Sequence, residues 1–71
     1  MPVAKVVTII GHSTESFAKA ADAAVQEASK TIRDISGADV ISMSANVENG
    51  RITNFKTTVN IAFRIEGNAG D

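Results

Sequence analysis

The sequence predicts an α+β domain of order β-α-β-β, a three-stranded antiparallel sheet packed on one helix. Three observations carry this. Residues 38–65 alternate apolar and polar side chains in two arms that meet at Glu48-Asn49-Gly50, the pattern of a long hairpin with one buried and one wetter face. Residues 13–35 repeat apolar side chains every three or four positions, as an amphipathic helix does. Residues 4–11 (AKVVTIIG) form a β-branched run closed by glycine, a strand suited to the middle or inner edge of a sheet.

The helix start is expected at Ser13 as N-cap, with Glu15 close to the positive helix end and Thr14 and Ser16 beside it. Phe17, Ala21, Ala24, Val25, Ala28, Ile32 and Ile35 make the apolar stripe, and Ser36-Gly37 should stop the helix. Glu15 and Lys19 are spaced for a weak i,i+4 ion pair.

In the hairpin, Ile41, Met43, Ala45 and Val47 share one parity, and Phe55, Val59, Ile61, Phe63 and Ile65 share one in the second arm, where Thr57 and Ala62 interrupt the alternation. A two-residue Asn49-Gly50 turn would set Met43 opposite Lys56 and Ile41 opposite Thr58, mixing the faces. That predicts a bulge in one arm or a loop with an odd residue count. The tail, Gly67 to Asp71, should fray.

The 71 residues make one domain, 1–71, near the size at which a single core supplies only a few kcal/mol of stability. Cysteine is absent, so no disulfide compensates, and much of the apolar content is alanine, which buries little area. A helix of about twenty residues covers roughly 30 Å, whereas the second arm of the hairpin spans roughly 50 Å. Phe63 and Ile65 at one end, and Val47 and Ile52 at the other, therefore need a partner surface, and identical copies are the commonest partner. A homo-oligomer is expected.

Lysine and arginine are scattered, the net charge is −1, and the only aromatics are three phenylalanines, which argues against a nucleic-acid surface. The amino terminus lacks a signal-peptide pattern and no run is long enough to span a bilayer, so the expected location is the cytoplasm, with no membrane association. Gly11-His12-Ser13-Thr14 lacks the glycines and lysine of a phosphate loop. His12, the sole histidine, stands without a nucleophile motif or a second ligand histidine, and reads as a solvent-facing turn residue. The carboxylates show no paired spacing for acid-base work, so no enzyme is expected. Asp39, at the start of a strand, is a candidate cation ligand if symmetry-related copies bring further oxygen groups to it.

The strand KVVTIIG (5–11), the helix segments STESFAKAADAAV (13–25) and ASKTIRDI (28–35), the VENG turn and the closing VNIAFRIEG (59–67) together resemble the dodecin family over nearly the whole chain. The resemblance implies a β-α-β-β fold assembled as a hollow homododecamer of twelve identical chains, with flavins held in pairs across two-fold axes. It also implies a flavin-stacking tryptophan at the place of Gly37 and a flavin-bonding glutamine at the place of Lys56, both substituted in this chain. These departures predict weakened flavin binding, because an aromatic stack contributes about 0.5–1.5 kcal/mol beyond burial. The chain thus looks more like the branch that lacks the tryptophan and is described as binding calcium. The expected function is non-enzymatic storage or sequestration of a divalent cation such as calcium, with Asp39, Glu48 and Glu15 as candidate ligands. The alternative is a flavin-storage dodecin with an altered pocket.

Overall fold

The computed structural model describes residues 3–65. It contains β1 (Val3–Ser13), α1 (Phe17–Ser29), β2 (Ile35–Glu48) and β3 (Arg51–Ile65). The strands form one antiparallel sheet in the order β1-β3-β2, so the predicted β-α-β-β fold holds and β3 is the central strand. β1 is an edge strand, not a middle one: its β-branched run is covered by α1 on one face only. The tail 67–71 lies outside the described residues.

Helix α1 lies across β1 and β3 and meets β2 sparingly. Its buried side chains are Ala20, Ala24 and Ala28, one every fourth residue, and Ala24 and Ala28 pack with Val59 and Ile61 of the central strand. Alanine buries little area itself but lets the helix axis approach the sheet closely. The approach is tightest at Gly11, where a Cβ would overlap the Ala20 carbonyl oxygen. The glycine expected to close the first strand therefore sits inside it, and β1 continues to Ser13.

Thr57 explains one break in the hairpin's alternation. It is 1% exposed on the helix side of β3, and its hydroxyl donates to the Phe17 carbonyl at 2.9 Å, so the buried polar group is satisfied. Beside it, the rings of Phe17 and Phe55 meet edge to face at 4.9 Å.

Both helix ends differ from expectation. The N-cap is Ser16, whose side chain accepts from the Lys19 backbone N–H at 3.0 Å; Ser13 instead accepts from the backbone N–H groups of Glu15 and Ser16 in the preceding turn. Glu15 thus precedes the cap, although its pair with Lys19 forms at 3.5 Å with both groups well exposed. At the other end the helix stops at Ser29, without any glycine. The chain reverses at Asp34, whose φ of 59° lies in the left-handed region that aspartate tolerates better than most residues, and whose carbonyl accepts from the Arg64 N–H at 3.1 Å. Ser36 and Gly37 belong to β2.

The hairpin turn has two residues after all, with Glu48 opposite Arg51 and positive φ at Asn49 (53°) and Gly50 (75°), the signature of a primed turn. The expected face conflict is resolved by the other predicted device. Register shifts fall between Ile35 and Gly37, between Val40 and Ser42, and between Asn46 and Val47, so that Met43 faces Thr57 and Ser44 faces Lys56.

The described chain measures 57 × 19 × 12 Å. Thirteen helical residues cover about 20 Å of it, less than the sequence suggests, and the sheet overhangs further. Val47, Ile52 and Ile65 are exposed as expected, and so are Val6, Ile10, Val40 and Met43. Among the described residues no helix is long and apolar enough to cross a membrane.

Candidate functional site

The sheet face turned away from α1 is set by β3. Thr57, Val59 and Ile61 are buried toward the helix, so Lys56, Thr58, Asn60 and Ala62 point the other way. Directly paired residues share a face, which lets the register map this outer surface in transverse rows. Thr8, Asn60 and Asp39 form one row; Ile10, Thr58 and Ser42 the next; His12, Lys56 and Ser44 a third. Gly37 lies opposite Ala62 on the same face, toward the other end.

The rows are polar on β2 and β3. Thr8 donates its hydroxyl proton to the Asn60 amide oxygen at 2.6 Å, and the Asn54 side-chain amide lies 3.4 Å from His12 Nδ1. On β1 the same face carries exposed Val6 and Ile10. The surface predicted to be the wetter one is thus apolar along one edge and polar along the other two strands.

Gly37 has no atom within 4 Å of the place a Cβ would occupy, so the position is open to a larger side chain or a ligand. Lys56 is half-buried on the central strand. The two share a face but not a pocket: Gly37 is opposite Ala62, six residue steps along β3 from Lys56, roughly 20 Å of strand. A small ligand touching both types of position has to draw them from different copies.

The candidate cation ligands are dispersed within one chain. Glu15 sits in the turn before α1, Asp39 opposite Asn60 in mid-strand, and Glu48 opposite Arg51 at the hairpin tip. Asp39 and Glu48 are separated by nine positions, roughly 30 Å of strand. Among the described residues no group of three histidine, cysteine, aspartate or glutamate side chains is placed to hold a metal ion.

His12 occupies the end of β1 opposite Lys56, not a turn. Residue-by-residue reasoning missed this juxtaposition because the signal is a register: His12 and Lys56 are 44 positions apart in sequence and meet only once β1 is laid antiparallel on β3.

A concave region, about 550 Å³ and open to solvent, lies elsewhere, where the chain leaves α1, lined by Ile32, Arg33, Asp34, Phe63, Arg64 and Ile65 among others.

The family model described as Dodecin matches residues 3–66. No curated protein matches by sequence. Among solved structures, a variant of the T. thermophilus dodecin superposes with a TM-score of 0.90 at 25% identity, over 94% of this chain and 100% of that one. A dodecin from Streptomyces coelicolor superposes at 0.88 and 24% identity, over 93% and 94% of the respective chains, and one from Streptomyces davaonensis at 0.88 and 23%, over 93% and 97%.

Proposed function

Since this chain belongs to the dodecin family, we propose that it is a non-enzymatic storage protein that holds a flavin-class ligand between copies of itself in a dodecameric, cytosolic shell. The observation that carries this reading is the placement of Gly37 and Lys56. Both stand on the face that no described element covers, yet about 20 Å apart, so the pocket they belong to is completed by another copy. The apolar overhang supports assembly independently. Exposed Val6, Ile10, Val40, Met43, Val47 and Ile52 line a slab only 12 Å thick, and a chain of this size with an alanine-rich core gains stability by burying them against copies.

The single-domain reading of 1–71 fits this picture, because all described elements share one sheet and one core. The substitutions at Gly37 and Lys56 alter the flavin pocket without closing it. Gly37 leaves space where an aromatic ring would stack, and Lys56 offers an ammonium donor where an amide would both donate and accept. The divalent-cation reading has less support. Its candidate carboxylates, Asp39, Glu48 and Glu15, lie apart within the chain, and calcium binding would depend wholly on convergence across copies.

Two measurements test the proposal. Light scattering is expected to give a mass of about 89 kDa, twelve times the 7.4 kDa chain; a mass near that of one chain contradicts it. Titration of riboflavin and its 5′-phosphate is expected to quench flavin fluorescence saturably. A colourless protein that quenches neither flavin but retains calcium through dialysis would replace flavin by cation as the ligand.

A further inference from the structure

We propose that the row His12–Lys56–Ser44 is an oxyanion subsite, and that the ligand this protein holds carries a phosphate or comparable anionic group. The inference rests on the ligand-holding reading only for the face involved; the subsite itself follows from the register.

His12 of β1 and Ser44 of β2 flank Lys56 on either side in the same row, so an imidazole, an ammonium and a hydroxyl point out of one stretch of sheet. The Asn54 amide sits beside His12, 3.4 Å from Nδ1. When that amide donates to Nδ1, the histidine proton lies on Nε2, free to be given to a ligand. These are donors: an ammonium with three protons, a ring N–H and a hydroxyl, the set that oxyanions take.

Charge points the same way. Lys56 brings a full positive charge to this row, flanked by the His12 ring and the Ser44 hydroxyl rather than by a carboxylate. Among the described residues no carboxylate lies within 4 Å of Lys56 Nζ, since the ion pairs formed are Lys19–Glu15 and Lys30–Glu27. Asp39 is the nearest acid on this face by register, but it stands opposite Asn60, four β3 positions and about 13 Å from Lys56. No described element packs over the row, because α1 covers the opposite face.

Beside His12, Lys56 suits an anion better than would the glutamine that the family resemblance implies at this place. An amide reads the edge of a flavin ring, whereas an ammonium beside an imidazole reads a phosphate. Lysine at this place trades ring recognition for anion recognition.

His12 is the sole histidine, so its Hε1 resonance reports on this row alone. With isotope-labelled histidine in the assembled protein at fixed pH and ionic strength, added inorganic phosphate is expected to move that resonance saturably while chloride does not. In Lys56→Gln, checked by light scattering to have the same mass, the movement should vanish. In parallel, riboflavin 5′-phosphate should bind about tenfold more tightly than riboflavin to the unmodified protein, the scale of one charge-assisted contact, and about equally to Lys56→Gln. A His12 resonance indifferent to phosphate, as when a carboxylate of a neighbouring copy already neutralises Lys56, overturns the subsite even if both flavins bind. A phosphate-dependent shift in a protein that binds neither flavin upholds the subsite and removes the flavin reading instead.

Discussion

Gly11 of β1 lies directly under the carbonyl of Ala20 in α1, so close that a Cβ at Gly11 would overlap that oxygen. The obstacle is helix backbone, which cannot swing aside as a side chain can. Gly11→Ala must therefore lift α1 off the sheet and loosen the packing of Ala20, Ala24 and Ala28. The expected cost is about 3 kcal/mol, at the upper end for overpacking, read as a lowered urea midpoint at matched protein concentration. An unchanged midpoint would show that the helix approach is not the constraint on this glycine.

Ser16 rather than Ser13 caps the helix, which separates two serines that look alike in sequence. Ser16→Ala removes the acceptor of the Lys19 N–H and is expected to lower stability by about 1 kcal/mol. A valid comparison keeps protein concentration fixed, because assembly contributes to the apparent melting temperature.

Much of the fold was legible because the strongest signals were periodic. The hairpin's alternation and the residues Asn49 and Gly50 mark β2, β3 and the place where they meet, and the face conflict at Met43 and Lys56 calls for either a bulge or an odd-length loop, of which the structure has the bulges and keeps the two-residue turn. What misled was punctuation. Ser36-Gly37 looked like a helix stop, and Ile32 and Ile35 fell in phase with the helix stripe, yet the helix ends at Ser29 and a left-handed Asp34 turns the chain. Nothing local marks that turn, because the Asp34 carbonyl is held by Arg64, thirty residues on. The site was less legible for the same reason. Gly37 and Lys56 came from a family resemblance, while the His12–Lys56 row needed the β1–β3 register, a long-range property that no window of sequence contains.

Gly50 carries a φ of +75° at the tip of the hairpin, where L side chains are strained although there is space for a Cβ. Gly50→Ala is expected to cost about 1 kcal/mol through backbone strain alone. Asn49→Gly, at a φ of 53°, should change stability by only a few tenths of that. Paired denaturation curves check the difference, and equal effects would mean that the turn relaxes to another type when Gly50 is replaced.

Gly37 offers the most direct test of the proposed flavin pocket. Its Cβ position meets nothing within 4 Å, and its partner Ala62 is small, so Gly37→Trp can place an indole on the outer face without displacing neighbours in its own chain. An indole there supplies both a stacking surface and apolar area, which together correspond to at least tenfold in affinity. Riboflavin, which lacks the phosphate, is the proper ligand, because its gain then reports stacking without the contribution of Lys56. Titration by fluorescence quenching is expected to show that gain in Gly37→Trp, and a further gain when Lys56→Gln restores an amide. No gain in either variant, with the oligomer mass unchanged, would mean that neighbouring copies no longer leave room for a ring between them, and that the open space beside Gly37 is filled on assembly.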